Sequence, residues 1–254
     1  MTIAPAAVAL AALLALGAVV ESAPARPTQS EILDRWAAAL GGRPRLAAVR
    51  SVHMIARLEV GGREGRFETW YTARGQRHDL TEIPGLFRQE IIFDGARGWV
   101  RGASGQVRPL TGSELEDQVT SIFQATYAWL LPGRFPIDVV VSGETPDHSA
   151  WVLAIHPRHG TPYAVFLDRE TFLPLRLEQH GLDRTTIQTL SNWREVAGIR
   201  FPWRARQTNG DPQLDLDFAI ERIEFDAVLD PQLFTEPKAM PATTNGTRGA
   251  ESPS

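Results

Sequence analysis

The feature that most constrains this chain is an apolar–polar alternation of period two, which recurs along most of its length and gives way once to a helical period. From Ser51, Val52, Met54, Ala56, Leu58 and Val60 fall on one face while His53, Arg57 and Glu59 fall on the other. Gly61-Gly62 supplies a hairpin turn, and Phe67, Thr69 and Tyr71 continue the apolar face opposite Arg66, Glu68 and Trp70. A further strand begins near Arg77. Phe87, Gln89, Ile91 and Phe93 then lead into Asp94-Gly95, a tight-turn pair, and Trp99 opens the return strand.

Between Thr111 and Leu131 the period changes. Leu115, Val119, Ile122, Phe123, Thr126, Trp129 and Leu130 recur at helical spacing and form one wide apolar face. Thr111 and Glu114 stand at capping-box spacing, and Pro132-Gly133 is the expected stop. An apolar helix set between two blocks of strands must cover something, and a sheet face is what the chain offers. An earlier helix opens with Thr28 and Glu31, again a capping box. It carries Ile32, Leu33, Trp36 and Leu40 on one stripe and ends at Gly41-Gly42, before a short turn from Pro44 to Val49.

The second block of strands shows Ile137, Val139 and Val141, then Trp151, Leu153 and Ile155, then Tyr163, Val165 and Leu167, then Leu173, Leu175 and Leu177. Ile199, Phe201, Trp203 and Ala205 face inward against Arg200, Arg204 and Arg206. Leu214, Leu216, Phe218 and Ile220 set the last long strand, whose phase slips near Arg222 in the manner of a β-bulge. The sum is about ten or eleven antiparallel strands with two helices, a mainly β fold of the α+β class. That many strands curl into a barrel or deep half-barrel. No internal repeat or central linker divides them. Residues 26–237 form one expected domain, followed by a small polar tail, 238–254, expected to be disordered.

Residues Ile3 to Val20 are rich in alanine and leucine and uncharged, and Ala23-Pro24-Ala25 has the small-x-small form of a signal-peptidase site. Residues 1–25 therefore read as a signal peptide and the protein as periplasmic. No Lys or Arg precedes the apolar run, which leaves an uncleaved N-terminal anchor as the alternative. There is no cysteine, so disulfides, thiolate metal sites, a cysteine nucleophile and a lipidated cysteine are all excluded. The net charge of −4, without a basic run, argues against a nucleic-acid partner.

The order of these pieces resembles the LolA-like periplasmic proteins, the outer-membrane lipoprotein-sorting family. It is carried by F-D-G-x-x-G-W from Phe93 to Trp99, T-G-x-E-L from Thr111 to Leu115, N-W-R-E-V-A-G-I-R-F-P from Asn192 to Pro202, and L-D-P-Q-L-F-T-E-P from Leu229 to Pro237. The likeness spans most of Thr28 to Pro237, through turns and anchoring aromatics. It implies an unclosed antiparallel β-barrel with helices covering the concave face and an apolar cavity between them. It also implies a lipid or acylated lipoprotein as cargo, a membrane-protein donor or acceptor, and a monomer. No arginine of this chain is assigned the role of the carriers' functional arginine.

No catalytic or metal site emerges, and no cofactor is expected. His156 and His159 have a zinc-like spacing, but Pro157 lies between them and the segment reads as a solvated turn. Asp215 and Asp217 alternate with Leu214 and Leu216 and so face away from the core. Ser104 and Ser113 lack a nucleophile elbow, and there is no P-loop or dinucleotide fingerprint. What remains is collective: Phe67, Tyr71, Phe93, Phe123, Trp151, Val165, Leu177, Phe201, Trp203 and Phe218 all point inward and are the candidate wall of an apolar cavity. An exported carrier of a lipid-like ligand follows from such a cavity. A non-enzymatic envelope sensor or scaffold follows from a filled interior, and a hydrolase would require titratable groups clustered inside it.

The leader is predicted to be removed, giving a mature protein that begins near Arg26. N-terminal sequencing tests this; an intact Met1 in the membrane fraction would establish the anchor instead.

Overall fold

The computed structural model describes residues 26–127, 130, 131, 134, 137–181 and 185–239. The leader, the tail beyond Ala239, Trp129 and Pro132-Gly133 lie outside the described residues. Thirteen strands form one sheet in the order β6-β5-β4-β3-β2-β1-β13-β12-β11-β10-β9-β8-β7. In chain order they are β1 (Ser51–Val60), β2 (Arg63–Thr72), β3 (Arg77–Ile83), β4 (Phe87–Phe93), β5 (Gly98–Gly102), β6 (Val107–Pro109), β7 (Ile137–Glu144), β8 (Ala150–Pro157), β9 (Tyr163–Asp168), β10 (Pro174–His180), β11 (Thr185–Val196), β12 (Ile199–Thr208) and β13 (Leu216–Phe225). Every pairing is antiparallel and β6 does not meet β7, so the sheet is open. Two successive meanders run outward and inward and meet where β1 pairs with β13.

The count exceeds the ten or eleven strands expected. β6 is only three residues long. β11 is twelve residues long, but its apolar residues Ile187, Leu190 and Trp193 are spaced by three and it is exposed along much of its length, so no period of two marks it. The slip near Arg222 is a bulge: Ile55 pairs with Arg222 and Ala56 with Ile220, leaving Glu221 as the extra residue. A second bulge, between Pro174 and Arg176, turns Leu175 out to solvent, although Leu173 and Leu177 are buried. Leu214 belongs not to the last strand but to a 3-10 turn, Pro212–Leu214, and is exposed. Asp215 follows that turn with its side chain largely shielded and paired to Arg206 at 2.7 Å, where a solvated carboxylate was expected.

Among the described residues three helices cover the sheet: α1 (Gln29–Ala39), α2 (Arg43–Ala48) and α3 (Ser113–Thr126). The first begins with the expected capping box: the Thr28 hydroxyl accepts from Glu31 N–H, and the Glu31 carboxylate accepts from Thr28 N–H at 2.7 Å. The expected turn from Pro44 to Val49 is helical, because Pro44 sits in the first turn of α2, where its missing N–H costs nothing. At the start of α3 the capping box does not form. Gly112 is the N-cap without a side-chain bond, and Glu114 instead makes a two-pronged pair with Arg108 at 2.7 Å. This helix ends earlier than expected, with Tyr127 in the left-handed region at φ 49°, and Leu130 and Leu131 are buried beyond it.

The chain uses both faces of the first meander. On the convex side, His53, Trp70, His78, Ile92 and Trp99 lie in one row across β1 to β5. Trp70 is flanked by the two imidazoles at ring distances of 5.1 and 5.0 Å. His53 lies 2.7 Å from Glu68, and His78 lies 2.9 Å from Glu90, which also accepts from Arg101 at 2.6 Å. The bond from His78 and the Arg101 charge hold the Glu90 carboxyl below the usual carboxylate range despite burial. A C-terminal 3-10 turn, Pro231–Phe234, packs over β3 and β4 with Phe234 buried, and the Lys238 carbonyl accepts from Arg101.

On the concave side α3 is held by polar bonds. The Thr120 hydroxyl donates to the Thr161 carbonyl at 2.9 Å. The Asp117 carboxylate accepts from the Thr161 hydroxyl at 2.9 Å and from the Gln179 amide at 2.8 Å. These bonds tie the helix to the β8–β9 turn and to β10.

Two predictions follow from this framework. Gly41 adopts φ +118°, and a Cβ there would collide with the carbonyl oxygen of Gly198, where the end of α1 meets the β11–β12 turn. Gly41→Ala is expected to cost at least about 2 kcal/mol. Gly62→Ala, at φ +72° with nothing within 4 Å, should cost about 1 kcal/mol. Denaturant midpoints of the two variants decide; equal losses would contradict the close approach. Asp117→Ala removes two acceptors and is expected to destabilise by about 1–3 kcal/mol. Amide exchange in α3 should accelerate while β1 and β13 stay protected, and unchanged exchange in α3 would show that apolar packing alone holds it.

Candidate functional site

The concave face carries two apolar clusters. In the first, Ile32, Trp36 and Leu40 of α1 and Leu46 of α2 pack on the inward residues of β8, β9 and β10 together with Phe123 of α3. Alternation explains the match: Trp151, Leu153 and Ile155 stand opposite Leu167, Val165 and Tyr163, and Val165 stands opposite Leu177. In the second, Val52, Tyr71, Phe93 and Ile223 surround Ile122 of α3, with Phe201, Trp203 and Phe225 packed at the side. Ile122 and Phe123 are neighbours in sequence, so α3 feeds one fully buried residue into each cluster, and Val119 packs at the side of both.

The ten residues expected to wall a cavity are therefore distributed. Phe123, Trp151, Val165 and Leu177 belong to the first cluster and are fully packed. Tyr71 and Phe93 are buried in the second, beside the half-buried Phe201 and Trp203. Phe67 and Phe218 meet edge to face at a ring distance of 5.5 Å, outside both clusters, and both are half-buried. They sit toward the β1–β2 hairpin, where Leu58 pairs with Phe218 and Ala56 with Phe67.

Where α2 and the end of α3 meet the starts of β1 and β12, a cavity of about 20 Å³ remains. That is room for about one water molecule. Its wall is formed by Leu46, Val49, Ser51, Val52, Tyr71, Ala73, Ala125, Thr126, Tyr127, Arg134, Ile199 and Phe225. Tyr71 is the one member of the expected set among these. Ile199 and Val52 were already placed inward by alternation, but Ala73, Ala125 and Arg134 carry no sequence signal for such a position.

The polar side chains at this cavity are the Tyr71 and Tyr127 phenols, the Ser51 and Thr126 hydroxyls and the Arg134 guanidinium. Burial raises both the Tyr71 and Tyr127 hydroxyls far above the ordinary tyrosine range, and the proximity of Tyr71 raises Tyr127 further. Burial lowers the Arg134 guanidinium, the opposite of Arg108 and Arg206, whose carboxylate partners raise them. Arg134 donates to the Ala47 carbonyl at 3.0 Å, and Arg43 donates to the Leu130 carbonyl. Two arginine-to-carbonyl bonds running in opposite directions thus join α2 to the segment that follows α3. The imidazoles of His156 and His159 lie elsewhere, on exposed positions at the end of β8 and in the turn after it.

No protein-family model matches this sequence, and no curated protein does. Among solved structures, a LolA superfamily protein from Nitrosomonas europaea aligns with a TM-score of 0.56 at 18% identity, over 83% of this chain and 98% of that one. A DUF1329 family protein from Desulfovibrio piger aligns at 0.52 and 16%, over 81% and 96%. A domain described as that of an outer membrane lipoprotein-sorting protein from Vibrio parahaemolyticus aligns at 0.50 and 13%, over 80% and 94%. Such low identities with nearly complete coverage establish shared architecture: this chain has the LolA-like fold.

Proposed function

We propose that this protein is an exported, periplasmic carrier or binding protein for a lipid-like or acylated ligand, acting without catalysis in the sorting of envelope lipids or lipoproteins. The observation that carries the reading is the concave face: an open apolar sheet is covered by α1, α2 and α3, with a residual cavity at the end of α3 and the half-buried Phe67–Phe218 pair outside both clusters. An acyl chain entering there would displace α3 and take over its apolar contacts. Each methylene buried contributes about 0.8 kcal/mol, so a chain of moderate length binds without charged recognition. The similarity to structures of lipoprotein-sorting proteins agrees with this reading. Removal of the leader and a membrane donor or acceptor belong to the same proposal.

The small size of the cavity favours a second reading, in which the fold serves as a sensor or scaffold and contacts other envelope proteins through its rim and helices. The two differ in what the cavity wall does. Val165 lies in the packed half, so Val165→Trp is expected to cost about 1–3 kcal/mol while leaving binding of a fluorescent fatty-acyl probe unchanged. Val49 lines the cavity and is partly exposed, so Val49→Trp should reduce probe affinity about fivefold or more with little loss of stability. A parent protein that binds no acyl probe, and carries no lipid in native mass spectrometry after purification from its own envelope, would establish the interaction module.

A further inference from the structure

We infer that the ligand is an anionic amphiphile and that Arg134 binds its head group at the mouth of the concave cavity. This rests on the carrier reading and names the class of ligand. Arg134 stands on the wall of the cavity between α2 and the end of α3, and its one hydrogen bond among the described residues goes to a neutral acceptor, the Ala47 carbonyl. No described carboxylate pairs with it, whereas the nearby Arg43 and Arg45 pair with Asp34 and Asp226. A guanidinium carries five N–H donors in a planar fork that fits a carboxylate or phosphate, and one carbonyl leaves most of that fork unused. Arg134 is partly shielded from water and has no counter-charge among the described residues, so an anion that arrives with the ligand gains a charge-assisted partner there.

The residues beside the cation are suited in character to the start of an acyl chain. Val49, Val52, Ala73, Ile199 and Phe225 give the cavity an apolar wall adjoining the cation, and Tyr71 and Tyr127 add neutral phenols. Protein carboxylates are absent from that wall, so nothing on it repels an incoming oxyanion. The chemistry of Arg134 fits a singly or doubly charged oxyanion, and the chain behind it would occupy space that α3 vacates. A fatty-acid carboxylate and a lysophospholipid phosphate share this chemistry.

The test compares dodecanoate, 1-dodecanoyl lysophosphatidate and methyl dodecanoate by calorimetry on the parent, Arg134→Gln and Arg134→Lys, with unfolding midpoints measured for each. The parent is expected to bind at least one of the two anions about tenfold or more tightly than the ester. Whichever anion is preferred identifies the head group. Arg134→Gln should bind anion and ester alike, and Arg134→Lys should keep part of the preference because it keeps the charge. A parent that binds the ester as tightly as both anions overturns the inference and leaves the carrier reading standing, as does a folded Arg134→Gln that keeps the full preference. A parent that binds none of the three overturns both. If Arg134→Gln does not fold, the parent's preference and its partial retention by Arg134→Lys decide, and loss of all preference in a folded Arg134→Lys counts against a charge-based site.

Discussion

The pairing of β1 with β13 is the constraint on which the rest depends. It brings the first and last strands together in the middle of the sheet, from Val52 opposite Phe225 to Val60 opposite Leu216. The two meanders must then grow outward to free edges at β6 and β7, which are consecutive strands lying at opposite extremes of the sheet. Whatever joins them has to travel from one edge to the other. Because the sheet is curved and its concave face apolar, the economical route runs across that face, and the connection is an amphipathic helix. The helix over the interior is thus a consequence of strand order.

That route explains the uneven filling of the interior. Near β8 to β10, α1 lies beside α3 and the two helices together fill the space, so the first cluster is dense. Near β1, β2, β12 and β13, α3 stands almost alone with α2 at one end. There the second cluster is smaller, a cavity remains beside Tyr127, and the Phe67–Phe218 pair is left half-buried. Arg43 and Arg134 reach carbonyls across this thin part of the cover. These carbonyls are usable partners because helical bonding has run out where they stand: Ala47 lies in the last turn of α2, and Leu130 lies beyond the end of α3 at Tyr127.

The alternation of buried residues was legible wherever strands alternate cleanly, which is why Val52 to Val60 and Trp151 to Leu167 fell into place and why the slip at Glu221 could be read as a bulge. β11 was hidden because a strand exposed on much of both faces has no reason to alternate. The local cap signals divided: Thr28 and Glu31 form their box, whereas Glu114 found a better partner in Arg108, six residues earlier on β6. The site itself was barely legible. Inward direction could be read for each aromatic, but which of them the helices would cover depends on where α1 and α3 settle, a tertiary fact. Arg134 could not be found at all, since an isolated arginine in a Pro/Gly-rich connection looks like any surface cation.

The energetics of opening follow from the bonds that hold α3. Three bonds through Asp117, Thr120 and Thr161 fasten it to β8–β9 and β10, and the two arginine–carbonyl bonds fasten the segment beyond it to α2. At about 1 kcal/mol each, the five come to about 5 kcal/mol. The apolar contacts of α3 are exchanged with an entering chain rather than lost, so these polar bonds set the scale of what a ligand must offset. At about 0.8 kcal/mol per methylene, about six buried methylenes suffice, fewer than a common acyl chain contains. If α3 turns about its Asp117 attachment, its own three bonds survive and only the two at the arginine end must break, which lowers the requirement to about 2 kcal/mol. The bonds at the two ends are therefore unequal in effect: the Asp117 end suits a hinge, and the end at Arg43 and Arg134, over the cavity, is where the cover gives way first.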